Sequence, residues 1–245
     1  MLEVKELTKS FGPIRAVRGI SFQVAKGEIL GFMGPNGAGK STTMRMITGF
    51  LPPSSGTAVI CGHDIQGEPV AAKKSIGYLP ENAPVYSDMT VTHFLRFIAR
   101  IRGFTGADET GRVESVIKRC YLEKVRHQSI DTLSKGYKQR VCFAQAVLHD
   151  PPVLIMDEPT DGLDPNQKRV VRTMIKEMAP QKVIVISTHI LEEVDAVCTR
   201  AVIISNGKIV ANGTPAELRA RSSTGRLDDL FWDLTLGKEE IEKGR

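Results

Sequence analysis

The chain has 245 residues, enough for one α/β domain with a subdomain, and its content of 41% hydrophobic and 25% charged residues is ordinary for a folded protein. Its longer apolar runs, VLIM at 153–156 and VIVI at 183–186, are far shorter than the ~20 residues that span a bilayer, and no basic then apolar segment opens it, so neither a membrane span nor a signal peptide is expected. The net charge is +5, and eight Lys/Arg stand against four acids between Arg96 and His127; that basic segment suits nucleic acid, membrane headgroups or, as the preferred reading, the solvated side of two helices.

Along the chain, LEVKELTKSF alternates apolar and polar residues and reads as a half-buried strand. GISFQV and EILGFM are further strands, separated by the turn AKGE. A glycine-rich loop then leads into a helix, KSTTMRMITGF; LPPSSG is a turn, and TAVICG and SIGYLP are strands. From about residue 82 to residue 148 the pattern turns helical: VTHFLRFIARIRG places Phe94, Leu95, Ile98 and Ile101 on one face, and RVESVIKRCYLEKV keeps helical spacing. Strands return with PVLIMD, a continuous apolar run of the kind found in central parallel strands covered on both faces. The helix QKRVVRTMIKEM, the strand KVIVIST, the helix ILEEVDAVC and the strand AVIIS follow, and this alternation predicts an α/β fold with a parallel sheet and crossover helices. NGKIVANGTPAEL adds a turn, a strand and a helix capped by Thr214 with Pro215 in its first position. Cys61, Cys120, Cys142 and Cys198 lie far apart with no CxxC pair, so buried thiols in a reducing compartment are expected. The sequence has no internal repeat and no low-complexity tract.

The chemistry concentrates in three places. In GPNGAGKST, Gly34, Gly39, Lys40 and Ser41 fit G-x-x-x-x-G-K-[ST] between a strand and a helix. There the backbone N–H groups of Gly34, Pro35, Asn36, Gly37, Ala38, Gly39, Lys40, Ser41 and Thr42 (proline excepted) are expected to cradle phosphate, where side chains would block its approach. The helix that follows adds its N-terminal dipole. Lys40 then reaches the β- and γ-phosphates of a nucleotide, and the Ser41 hydroxyl ligates Mg²⁺. At the end of PVLIMD, Asp157 is placed to hold the Mg²⁺ shell and Glu158 to orient and deprotonate an attacking water. In LSKGYKQR, Ser134 is an N-cap, and Ser134 with Gly136 opens a second helix terminus suited to an anion.

Taken in order, these motifs resemble the ATP-binding cassette ATPases, the nucleotide-binding subunits of ABC transporters, over nearly the whole chain. The resemblance implies a P-loop fold with a RecA-like, mostly parallel sheet core, an N-terminal antiparallel β portion and an inserted helical subdomain. By it the ATPase domain covers residues 1–225, its helical subdomain about 82–148, and a short C-terminal extension 226–245. It makes Phe11 the aromatic that stacks on adenine, with core packing of a hairpin as the competing role. It makes Ser134, Lys135, Gly136 and Tyr137 the signature motif, acting on the ATP of a partner cassette, Asp164 the D-loop aspartate, and His189 the switch histidine at the γ-phosphate. Lys40, Glu158 and His189 become the catalytic set, with Ser41, Glu81 and Asp157 around the metal.

Two motifs depart from the family pattern. Lys135 and Tyr137 replace a glycine and the glutamine of LSGGQ, while Ser134 and Gly136 are kept. Glu81 stands where a glutamine is usual, so it cannot donate hydrogen bonds and adds negative charge beside Asp157 and Glu158. Both variants, with YLPEN and the tail LDDLFWDLT, resemble the branch that drives ABC-2-type exporters, including gliding-motility and multidrug-like cassettes. ATP and Mg²⁺ are the implied ligands. The implied partners are a second cassette, first as a homodimer and otherwise as a heterodimer, and an integral membrane permease received near residues 80–100, with no nucleic acid expected. The implied place is cytoplasmic, peripheral on the inner face of a membrane, and the implied direction is export. Competing readings are a soluble ABC ATPase acting on nucleic acid or ribosomes, and an assembly scaffold.

Overall fold

The computed structural model describes residues 1–81 and 85–235. β1 (Leu2–Phe11) and β2 (Ile14–Val24) form a hairpin, β3 (Ile29–Met33) runs into α1 (Lys40–Ile47), and β4 (Ser55–Ile60), β5 (His63–Asp64), α2 (Pro69–Lys74) and β6 (Ile76–Leu79) follow. Then come α3 (Val91–Ile101), α4 (Gly106–Arg119) and α5 (Lys135–Val147), before β7 (Val153–Asp157) and α6 (Pro165–Met178). β8 (Val183–Thr188), α7 (Leu191–Val197), β9 (Arg200–Ser205), β10 (Lys208–Gly213), α8 (Pro215–Ala220) and α9 (Leu227–Thr235) complete the order.

The strands make two sheets. One is antiparallel, in the order β2-β1-β4-β5; the other runs β10-β9-β3-β8-β7-β6, parallel except for its edge strand β10. Every residue of β3, β7 and β8 is buried, which explains their unbroken apolar sequences. Alternate residues serve opposite faces. Val153, Ile155, Val183 and Val185 meet α1 and the antiparallel sheet through Met44, Ile47, Leu2 and Leu7. Leu154, Met156, Ile184 and Ile186 meet the helical side through Phe94, Phe143, Val171 and Ile175. Burying side chains of this size contributes roughly 1.5–3 kcal/mol each, so the central sheet is a stiff platform whose strand ends hold their positions.

Several local expectations are revised. The strand expected at GISFQV begins earlier, at Ile14. In β1 the alternation slips: Leu2, Val4 and Leu7 are the buried residues, because Glu6 takes a left-handed φ of 44° and shifts the register. Ile101 ends α3 and is 66% exposed, so it leaves the apolar face expected of it. Helical spacing in RVESVIKRCYLEKV fails after Arg119, where Tyr121 at φ 55° breaks the run and one short 3₁₀ turn follows. Cys61, expected buried, is exposed in the turn between β4 and β5. α2 and α9 were not expected; α9 buries Leu227 and Leu230 against Leu218 and Ala201. The start of the helical block at Asn82 and the last ten residues of the extension lie outside the described residues. At Thr214 the expected cap is a full capping box with Glu217. No helix of the described residues is long and apolar enough to cross a membrane.

The basic segment is laced by ion pairs. Arg100 meets Glu109 at 2.8 Å, Arg112 meets Asp108 at 2.9 Å, and Arg126 holds Glu114 in a bidentate pair. Its cations are thus partly neutralised on the helices that carry them.

His149, just past α5, makes stability depend on pH. Burial first, then the charge of Arg102, lowers its pKa from 6.5 to about 4, although the Ile76 carbonyl 3.0 Å from Nε2 opposes the shift. The unfolded chain therefore takes up this proton near pH 6.5 and the folded chain only near 4, so stability falls as pH drops through that window. Discounted for partial exposure, the loss is about 1–2 kcal/mol. Thermal melts at pH 7 and pH 5 should show it in the native chain, and a His149→Gln chain should lose less over the same interval.

Candidate functional site

The loop that leaves β3 is shaped by three glycines with different tasks. A Cβ on Gly34 would lie 2.4 Å from the Ile204 carbonyl of β9, and one on Gly39, at φ 105°, 2.5 Å from the Ala16 carbonyl of β2. Gly37 needs its φ of 80° for the turn but has open space around it. At Gly34 and Gly39 neighbouring backbone alone already excludes a side chain, a constraint that stands beside the expected approach of phosphate. The Ala38 carbonyl also accepts from Gly207 N–H at 3.1 Å, which ties the loop to the β9–β10 turn. Gly39 precedes α1 with no side-chain cap, and the N–H groups of a first helical turn have no partner within the helix. Gly39, Lys40, Ser41 and Thr42 line an open cleft of about 430 Å³, with Ala16, Pro35, Asn36, Gly37, Glu81, Glu158, Asp161 and His189.

Across the cleft lies the end of β7. Asp157 is 1% exposed, and its Oδ1 accepts from Ser41 Oγ at 3.2 Å and from Ser187 Oγ. Glu158 takes a φ of 51°, a left-handed conformation strained for glutamate, as its backbone leaves the strand. Its N–H donates to the Ser187 carbonyl at 3.1 Å and to Ser187 Oγ at 3.2 Å. Its carboxylate lies 3.0 Å from His189 Nδ1 and 3.7 Å from Lys40 Nζ. Lys40 is buried and donates to the Gly34 carbonyl at 2.7 Å and the Pro35 carbonyl at 3.3 Å. Burial first, then the charge of Asp157, pushes the Tyr78 phenol up to about 12, so its hydroxyl stays protonated. A hydroxyl and a carboxylate oxygen side by side, Ser41 and Asp157, are hard oxygen donors of the kind Mg²⁺ takes, and Glu81 lines the same cleft.

The structure thus brings together Lys40, Ser41, Asp157, Glu158, His189 and Glu81, and leaves other expected residues apart. Phe11 is 47% exposed at the β1–β2 hairpin, with Lys9 Nζ 5.3 Å from its ring centre; it is neither packed in the core nor among the residues lining the cleft. Ser134, Lys135, Gly136 and Tyr137 do not line it either. Ser134 caps α5 by accepting from Tyr137 N–H at 3.4 Å, and the Tyr137 ring stacks 4.0 Å from the Arg140 guanidinium. A Cβ on Gly136 would come 2.6 Å from Gln167 Cγ on α6, the helix that Asp164 caps at 3.0 Å. The Lys135 ammonium lies over Gly162. From α5, Gln139 Nε2 donates to the Pro159 carbonyl at 2.9 Å, right behind Glu158. Sequence reading missed Ala16, Asp161 and Ser187. Ser187 was within reach, since a parallel pairing of PVLIMD with KVIVIST sets Asp157 beside Ser187.

Comparison with known proteins places these features in context. The sequence pattern of the ABC transporter family matches residues 17–161. The chain is 36% identical over 230 residues to "Probable multidrug ABC transporter ATP-binding protein YbhF" of Escherichia coli (strain K12), covering 94% of the chain but only 40% of that protein's length. It is 36% identical over 219 residues to "Nod factor export ATP-binding protein I" of Ralstonia nicotianae, covering 89% of the chain and 68% of that protein. A solved structure described as "Structure of ATP binding subunit of ABC transporter" superimposes with a TM-score of 0.85 at 33% identity, covering 96% of this chain and 99% of that one.

Proposed function

The chain belongs to the ABC transporter family, and from that premise we propose that it binds and hydrolyses ATP with Mg²⁺ and powers export through a separate membrane subunit. The observation that carries this reading is one cleft lined by the Lys40 loop, Glu158 at the end of β7 and His189, with Asp157 bonded to Ser41 beside it, while Ser134–Tyr137 are not among its lining residues. A cleft lacking its own signature residues fits a pair of cassettes, each supplying Ser134 and Gly136 to the other's nucleotide.

In this reading the loop N–H groups and the α1 terminus bind the phosphates, and Lys40 exchanges its two loop carbonyls for phosphate oxygens. Ser41 and Asp157, with Glu81 nearby, would hold Mg²⁺, which offsets the charge of the terminal phosphates when bound. Glu158 takes a proton from the water that attacks the terminal phosphorus, and His189, 3.0 Å away, orients that carboxylate and meets the phosphate. Phe11, exposed at its hairpin, is free to stack on adenine. Residues 1–225 form the ATPase unit with its helical insertion, and 226–245 the extension. The name of one relative, Nod factor export ATP-binding protein I, supports the direction of transport, and a membrane subunit as partner would put the chain at the inner membrane face.

The test is to tag the chain in its host, solubilise membranes in mild detergent, and identify what co-purifies stoichiometrically with a Glu158→Gln form in ATP and Mg²⁺. A polytopic membrane protein is the expected partner. A soluble complex or bound nucleic acid, with no membrane protein, would overturn the transport reading and leave ATP chemistry standing.

A further inference from the structure

We propose that Ser187 is a positioning residue for ATP hydrolysis: from the neighbouring strand, one hydroxyl holds both the metal-facing Asp157 and the backbone of Glu158. The inference rests on the reading above and adds to it a residue outside the cleft, because Ser187 is wholly buried and is not among the cleft-lining residues. It sits in VIVIST, a strand of otherwise mostly β-branched apolar residues, where an alanine or valine would pack without bringing a polar group inside. A buried hydroxyl is costly unless its bonds are made. Here they are made to two specific partners.

The pairing of β7 with β8 puts Asp157 directly opposite Ser187. The Ser187 hydroxyl donates its single proton to Asp157 Oδ1, and its oxygen accepts the Glu158 N–H at 3.2 Å, sharing it with the Ser187 carbonyl at 3.1 Å. Donor and acceptor capacities are both used. Ser41 is the other donor to the same Oδ1, at 3.2 Å, but it belongs to the phosphate loop and also faces the cleft. Ser187 has no such second task. Its hold on Glu158 matters because φ at Glu158 is 51°, and a strained conformation of this kind costs about 1–3 kcal/mol and persists only where its surroundings enforce it. That φ sets the direction in which the glutamate side chain leaves the backbone toward His189. One residue therefore sets the orientation of two acids with different tasks, and does so without touching nucleotide.

The test uses Ser187→Ala and Ser187→Thr in the full chain. Steady-state ATPase assays, binding of a fluorescent ATP analogue, thermal melts and hydrogen exchange of the Glu158 amide are compared with the native chain. For Ser187→Ala the expected result is kcat lower by roughly 10–100-fold, the range typical when a supporting hydrogen bond behind a ligand is removed. KM and analogue affinity should stay within about twofold of native, and the Glu158 amide should exchange several-fold faster. Ser187→Thr, which restores the hydroxyl, should recover most of kcat. Should the alanine form fail to fold, Ser187→Cys, with similar volume and a weak donor, carries the same expectation. Unchanged kcat, or a fall in kcat matched by equal losses of binding and melting temperature, would overturn the proposal while leaving the ATPase reading intact. Absence of turnover by the native chain would remove both.

Discussion

A Glu158→Gln chain is expected to hydrolyse ATP at least about 100-fold more slowly, the usual size of a lost general base, while binding ATP undiminished and accumulating as a dimer in ATP and Mg²⁺. The substitution changes only the end of the side chain, so the left-handed backbone at φ 51° and its bonds to Ser187 remain. The amide keeps the shape that fits against His189 and loses the capacity to take a proton. It also removes a carboxylate 3.7 Å from Lys40, which leaves that lysine freer to hold phosphate. Phosphate-release assays measure the first effect, and size-exclusion chromatography with light scattering the second. Full turnover would show that the base lies elsewhere. A chain that binds ATP yet stays monomeric at all concentrations would sink the pairing model for the isolated subunit.

Ser134→Arg should separate the two halves of a composite site. Ser134 is exposed, lies outside its own chain's cleft, and makes only a long cap to Tyr137 N–H at 3.4 Å. Loss of such a cap costs about 1 kcal/mol in stability, so the variant should fold and bind ATP with native affinity. Turnover should nevertheless fall at least about 100-fold, because in a pair the bulky guanidinium would occupy the position of the partner's phosphates. Introduced into the Glu158→Gln chain, it should abolish the ATP-dependent dimer seen by light scattering. Persistence of that dimer would place the contact between cassettes somewhere other than Ser134 and Gly136.

Much of the fold was legible because burial on both faces leaves a plain mark: VLIM and VIVI have nothing polar to present, and the structure buries β7 and β8 completely. The phosphate loop was equally legible, since its lysine and glycines have fixed offsets. What escaped was set by tertiary contact. The slip in β1 depends on Gly56, where a Cβ would strike the Glu6 carbonyl at 2.1 Å, a meeting of residues fifty positions apart. The exposure of Ile101 follows from where α3 stops rather than from its spacing. α9 carries a modest apolar face that gains meaning only against Ala201 and Leu218. Ser187 looks like one more strand residue until β7 is laid beside β8. At two glycines of the loop the carbonyls of Ile204 and Ala16 add a constraint that only tertiary contact reveals.

The bond from Gln139 to the Pro159 carbonyl joins the helix begun by Ser134 to the segment that follows Glu158. In the pair proposed above, a change at the start of α5 beside the opposite nucleotide would reach the backbone next to the chain's own glutamate through this bond. Each centre would then be connected to the other through a hydrogen bond within the protein. Thermodynamic reciprocity requires the influence to run equally both ways in binding. The two ATP molecules would therefore be engaged as a cooperative couple, and the chain's tempo would be set by the pair.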